Sequence, residues 1–173
     1  MSNFDSLDQP EVEEADLPRR QYLTFILAGE EFALDILRVQ EIRGWCRATR
    51  VPNSADYMCG VINLRGAIIP VVDLRVRFGL ARQPYSATTV VVVVKVCTNS
   101  KERIMGVVVD AMAETYSILE SAISPAPQVG GLMDPEYVQG LATIEEKMVV
   151  VLDVDALMNT AVMAVENSSD NDK

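Results

Sequence analysis

No histidine occurs in the 173 residues, and that absence removes a large share of enzyme chemistry. Ser-His and Cys-His nucleophilic pairs, histidine metal centres and phosphohistidine relays all need an imidazole. Aromatics make up 6% of the chain, with Trp45 the sole tryptophan. The three cysteines, Cys46, Cys59 and Cys97, are widely spaced. They lack the close pairing that zinc sites use and read as reduced thiols of a cytosolic protein. The N-terminus has neither the basic nor the apolar region of a signal peptide. Its most apolar run, around Val90 to Val94, falls far short of the roughly 20 residues of a membrane-spanning helix. The glycines never fall into a phosphate-cradling pattern. The sequence therefore predicts no catalytic residues, no metal and no cofactor.

What is present points to a packed β protein. Hydrophobic residues make up 49% of the chain, enough to bury a core. They are skewed toward valine and isoleucine, whose branched Cβ suits pleated sheet better than helix.

Charge is uneven. The net value is -10, which argues against nucleic acid as a partner because phosphate neutralisation needs a basic face. Residues 1–16 hold six acids and no base, residues 17–82 hold ten arginines against six acids, and residues 83–159 hold four bases against ten acids. The body is thus basic in its first half and acidic in its second, a split that fits ordinary solvated faces and also docking to proteins of complementary charge.

Along the chain, residues 1–20 read as a flexible acidic lead and 160–173 as a flexible tail. The runs 22–27 and 31–36 flank Ala28-Gly29-Glu30 as a hairpin. Three-residue spacing of Val39, Ile42 and Trp45 allows a helical turn there, and Ser54 is placed to cap a short helix through Met58. Strands follow at 61–64 and 67–73, joined by Arg65-Gly66, then a helical closure over 74–78 and a loop at 79–87. The apolar run 88–96 is a strand of buried type, with a polar loop at 97–103 and a returning strand at 104–112. A short strand at 117–119, a Pro/Gly loop over 124–136, a hairpin of 141–144 with 148–153 and a terminal turn at 154–158 complete the chain.

Residues 60–74 align without a gap to residues 140–154, an offset of 80 in which Gly60, Val71 and Asp73 meet Gly140, Val151 and Asp153. A constant offset of this kind marks a duplicated unit. Two five-strand modules, each closing its edges into a small barrel, fit the short strands and turns. The matched aspartates could suggest a carboxylate dyad. Neither sits in an Asp-Thr/Ser-Gly turn, however, and each precedes an apolar helical turn, so both read as N-caps.

Two polar runs interrupt the apolar first half: Gln40-Glu41-Ile42-Arg43-Gly44 and Asn63-Leu64-Arg65-Gly66, with Glu41 and Arg65 able to pair across the fold. Together with Val51-Pro52-Asn53, Gly60-Val61-Ile62 and Ile69-Pro70-Val71-Val72-Asp73-Leu74-Arg75, in this order and spacing, they make the chain resemble the CheW family of chemotaxis coupling proteins. The resemblance covers about residues 21–158 and is strongest from 32 to 78. It implies an all-β fold with short helices, a CheW-like domain at 21–159 made of two intertwined, five-stranded SH3-like barrel subdomains. It also implies a non-enzymatic adaptor linking the cytoplasmic tips of chemoreceptors to the regulatory domain of the histidine kinase CheA. Such an adaptor meets the membrane only through receptors and can join ring contacts in an array. By that resemblance Val39, Glu41, Gly60, Asn63 and Arg65 lie at the receptor groove; it assigns no kinase-contact residues. Cys46, after Trp45, departs from the family pattern. A CheV-type coupling protein would add a receiver domain, and the fifteen residues after Met158 leave no room for one. Two other readings stand beside it: a coupling protein of a non-swimming chemosensory system, and an unrelated small β-barrel ligand binder.

Overall fold

A computed structural model describes residues 17–126 and 134–159. Residues 1–16 of the expected lead, 127–133 of the expected Pro/Gly loop and the expected tail at 160–173 lie outside the described residues.

The chain runs through strands β1 (Arg19–Leu27), β2 (Glu30–Asp35), β3 (Val39–Gly44), β4 (Met58–Leu64) and β5 (Ala67–Asp73), then the one-turn helix α1 (Leu74–Arg77). It continues through β6 (Val90–Thr98), β7 (Lys101–Val109), β8 (Ala111–Leu119), β9 (Val138–Ile144) and β10 (Lys147–Leu152). A last helical segment, α2, covers 154–159. Each of the four hairpins, β1–β2, β4–β5, β6–β7 and β9–β10, closes through two residues that both have positive φ. These are Ala28 and Gly29, Arg65 and Gly66, Asn99 and Ser100, and Glu145 and Glu146. This is the I′ geometry, whose backbone twist matches that of the flanking strands.

One sheet has the order β8-β1-β2-β10-β9 and the other β3-β6-β7-β5-β4. Replacing each strand by the one five places away converts one order into the other. Each sheet therefore takes its hairpin β1–β2 or β6–β7 from one half of the chain and its other three strands from the opposite half. The joins are parallel, β2 to β10 and β5 to β7. The five-strand units expected from the sequence are both present, and they are built by exchange between the halves. Each sheet curls so that the chain leaving one edge strand, β3 or β8, meets the opposite edge strand, β4 or β9, through the bridges Thr49–Val61 and Ser124–Leu141.

Alternation explains the uninterrupted valines of β6. Val92, Val94 and Val96 face a core shared by the two sheets, with Phe25, Phe32, Leu34, Val72 and Leu152. Val91 and Val93 face a second core inside their own sheet, with Ile62 and Val71. Tyr22, Ala33 and Val151 form the matching core of the other sheet. Each fully buried valine contributes about 1.5–3 kcal/mol relative to exposure, so both faces of β6 stabilise the fold.

Three local expectations are corrected. Residues 39–44 form a strand, because Val39, Ile42 and Gly44 pair with Val94, Val92 and Val90 of β6, and this ladder outweighs the three-residue spacing. No helix forms over 54–58; the Ser54 hydroxyl donates back to the Val51 carbonyl at 2.8 Å and holds a turn. The expected loop at 97–103 shrinks to Asn99-Ser100, since the β6–β7 ladder continues to Thr98 and Lys101.

Candidate functional site

Asp73 and Asp153 behave as the caps their sequence positions suggest. Asp73 Oδ1 accepts from the Arg75 N–H at 3.0 Å, and Asp153 Oδ1 accepts from Asp155 and Ala156 N–H at 3.1 Å. The backbone N–H of each donates to the carbonyl of Tyr57 or Tyr137, again 80 residues apart. The two carboxylates cap separate helices and form no dyad.

The polar run 40–44 lies on the edge strand β3, where Val39, Glu41 and Arg43 are half-buried and Gln40 and Ile42 are exposed. The usual assignment is inverted: a carboxylate faces inward while Ile42 meets solvent. Arg65 sits at the β4–β5 turn with φ of 51°, and its Nη2 lies 3.5 Å from Glu41 Oε2. Arg43 Nε lies 3.9 Å from Glu41 Oε1. The Arg65 side chain is 82% exposed against 27% for Glu41. Glu41 Oε2 is buried and makes no hydrogen bond; the Arg65 contact is an ion pair without hydrogen-bond geometry. Glu41 thus offers an acceptor, and Arg65 a guanidinium fork, to an incoming polar group.

The other residues expected at this site hold it in place. Asn63 Oδ1 accepts from the Gly66 N–H at 2.9 Å, which closes the turn that presents Arg65. Val39 packs against the shared core. Gly60 has φ of 139°, and a Cβ there would lie 2.1 Å from the Thr49 carbonyl oxygen. The bridge to Thr49 therefore requires glycine, and Gly140 meets the same demand against Ser124. Glu41 and Arg65 lie together, as their sequence positions suggest; Asn63 and Gly60 lie on β4, the strand that leads into the Arg65 turn.

A contrast comes from the duplicated unit. Val71 pairs with Gly106 and Gly106 with Val93; Val151 pairs with Ala33 and Ala33 with Thr24. Carrying this register outward matches Ile42 to Thr115, and so Glu41 to Glu114, while Arg65 matches Glu145 by the 80-residue offset. The counterpart of the Glu41–Arg65 pair is therefore acidic. Burial and then the carboxylates of Glu114, Glu31 and Glu145 push the Tyr116 hydroxyl up to about 12.

Exchange of strands also sharpens the charge split. Segment 36–109, which supplies β3 to β7, holds eleven bases and four acids. The remainder of the body, 17–35 with 110–159, holds three bases and twelve acids. One sheet is strongly cationic and the other strongly anionic. The arginines that sequence reading passed over, Arg47, Arg50 and Arg82, lie around a cavity of about 600 Å³ on the cationic unit. Arg47 and Arg50 belong to a run of arginines around Trp45, whereas Arg82 lies far along the chain.

Among the described residues no helix is long and apolar enough to cross a membrane. None of the described acids and cysteines cluster as metal ligands.

Residues 21–162 match the family model described as a CheW-like domain. The chain is 39% identical to the chemotaxis protein CheW of Klebsiella aerogenes over 146 residues, 84% of this chain and 86% of that one. It is 30% identical to CheW of Bacillus subtilis, over 79% of this chain and 85% of that one. Among solved structures it superposes on the crystal structure of the scaffolding protein CheW from Thermoanaerobacter tengcongensis with a TM-score of 0.73 at 33% identity, covering 82% and 88% of the two chains.

Proposed function

Because this chain belongs to the CheW family of chemotaxis coupling proteins, we propose that it joins the cytoplasmic tips of chemoreceptors to the regulatory domain of the histidine kinase CheA. In this reading it has no catalysis of its own. It is cytoplasmic and reaches the membrane only through the receptors it serves, in an array where copies can contact one another.

The observation that carries the receptor side is the Glu41–Arg65 pair. A half-buried carboxylate with a free acceptor lies 3.5 Å from an almost fully exposed guanidinium, on a hairpin tip fixed by a short turn. Surface ion pairs contribute about 0–1 kcal/mol to folding, so a pair held this loosely does little for stability and is available for recognition. Val39 and Gly60 shape the strands on either side, and Asn63 presents the turn. Electrostatics suit a bridging role as well: two units of opposite charge give the two partners different surfaces and favour fast, oriented encounter.

The test is co-sedimentation of the protein with receptor signalling fragments and with CheA. Arg65→Ala and Glu41→Ala should lose receptor binding while keeping CheA binding and the unfolding temperature. Loss of the fold in either variant would make the pair structural, and failure of the parent chain to bind either partner at micromolar concentration would overturn the reading.

A further inference from the structure

The cavity on the cationic unit is walled by Trp45 and Tyr85, whose ring centroids lie 4.0 Å apart. Arg47, Arg50 and Arg82 line it, Met58 and Cys59 add apolar surface, and no acidic side chain contributes to it. The wall is fixed in advance. The Tyr85 hydroxyl donates to Asp73 Oδ2 at 3.0 Å and lies 3.5 Å from Cys59 Sγ. Burial, then the contacts with Cys59 and Asp73, push its pKa up, so it remains a neutral donor. Arg82 is oriented by donation to the Asp56 carbonyl, whereas Arg47 and Arg50 are exposed and make no ion pair among the described residues. A second concavity of about 320 Å³ shares Arg50, Met58 and Arg82 with the first and runs on along Val51 to Asp56.

The duplicated unit shows that these cations are not demanded by the fold. The Thr49–Val61 and Ser124–Leu141 bridges are equivalent, so Arg47 corresponds to Ala122 and Arg50 to Pro125. The equivalent bridge forms there beside a 3-10 turn at Glu120–Ala122, without either guanidinium. Two unpaired arginines beside an aromatic wall therefore need a reason outside folding, and guanidinium forks match carboxylates.

We propose that this trough binds an acidic peptide segment of a protein partner, with an aromatic or aliphatic side chain seated on Trp45 and its carboxylates on Arg47, Arg50 and Arg82. The two adjoining concavities, which share Arg50, Met58 and Arg82, fit an extended chain better than a compact ligand, and neither Glu41 nor Arg65 lines them. The inference rests on the reading of the chain as a coupling protein, but its test uses neither receptor nor kinase.

Trp45 is the sole tryptophan, so its fluorescence reports the trough directly. The probe is a synthetic peptide with the sequence of residues 2–16, which carries six acids and Phe4, titrated into the full chain at low salt. Peptide binding should shift Trp45 emission and weaken steeply as salt rises. Affinity should fall about ten-fold or more in R47Q/R50Q, whose unfolding temperature stays that of the parent, and should not change in R65A. The same titration is run with ADP, and with a full-length variant whose six N-terminal acids are amidated to Asn and Gln. Saturable binding of ADP but not the peptide would overturn the assignment in favour of a small organic anion. A large gain in peptide affinity in the neutralised variant would show that the chain's own N-terminal segment is the occupant, overturning the external partner. No response to the peptide in either chain overturns the site altogether.

Discussion

Arg75 holds Asp110 in a two-pronged fork, Nε to Oδ1 at 2.7 Å and Nη2 to Oδ2 at 2.6 Å, and joins α1 to the residue just before β8. Its counterpart carries the opposite charges: Asp155 of α2, 80 residues beyond Arg75, is gripped by Arg38, the residue just before β3, at 3.0 and 2.8 Å. The duplicated joint is kept while donor and acceptor trade places. Each fork ties a helix following one half's hairpin to the chain of the other half's exchanged strands.

Asp110 should govern part of the acid stability. Burial alone would raise its pKa, but hydrogen bonds from Arg75 and the Ala28 N–H, and the guanidinium charge, hold it below the ordinary carboxylate value. A carboxyl depressed in the folded state stabilises at pH above its unfolded pKa of roughly 3.9 and loses that contribution as pH falls through the folded value. Asp110→Asn should therefore cost about 1–3 kcal/mol at neutral pH and flatten the acid limb. Chemical unfolding from pH 7 down to 2 measures both, and equal slopes in the two proteins would refute the assignment.

Arg77 lies between the duplicated tyrosines, 4.9 Å from the Tyr57 ring and 4.7 Å from the Tyr137 ring. Its Nε donates to the Leu157 carbonyl at 3.3 Å, while its Nη2 is buried without a hydrogen bond. Shape and stacking matter here more than charge. Arg77→Met should stay within about 1 kcal/mol of the parent, since apolar replacements of imperfectly satisfied buried charges are often neutral. Arg77→Ala, which leaves a gap between two rings, should lose about 1–3 kcal/mol. Thermal unfolding of the two variants separates these roles.

The four hairpin turns differ in how well their residues suit positive φ. Gly66 is at 87°, where glycine is at ease, but Glu146, its counterpart, is at 67°. Glu146→Gly should raise stability by about 0.5–1 kcal/mol by relieving a left-handed residue, and Gly66→Ala should lower it. Calorimetry on the pair gives opposite signs if the turn geometry is as described.

Gly60 and Gly140 provide a matched control for the proposed receptor site. A Cβ would reach 2.1 Å from the Thr49 carbonyl oxygen at one and 2.6 Å from that of Ser124 at the other. Both alanine variants should be strongly destabilised. If Gly60→Ala abolishes receptor binding only in proportion to its unfolded fraction, as Gly140→Ala should, glycine acts there through the backbone alone.

Much of this was open to sequence reading because it is local. The alternation in β4, β5, β9 and β10, the two-residue turn at Arg65-Gly66 and the capping aspartates depend on neighbours within a few residues. The strand at 39–44 was harder: its apolar spacing fits a helical turn as well, and only the ladder with β6, some fifty residues away, decides the matter. Ser54 misled for a similar reason. A hydroxyl before a short apolar run can cap a helix or close a turn, and here it bonds backward to Val51. Glu41 and Arg65 were visible as polar interruptions of apolar strands, whereas Arg47 and Arg50 of the β3–β4 connection meet Arg82 of the loop after α1 only when the chain is folded.

The chain by itself determined a duplicated all-β protein, the loop-and-strand sites of Glu41 and Arg65, and the exclusion of histidine chemistry. Tertiary structure decided which strands share a sheet, because parallel joins such as β5 to β7 and β2 to β10 have no local signal and are selected by burying both faces of β6 and its counterpart β1. That exchange gathers eleven bases into one unit and twelve acids into the other. It also sets Arg75 against Asp110 in one joint and Asp155 against Arg38 in the other. The polarity hinted at along the chain becomes, in space, two oppositely charged surfaces on one small protein.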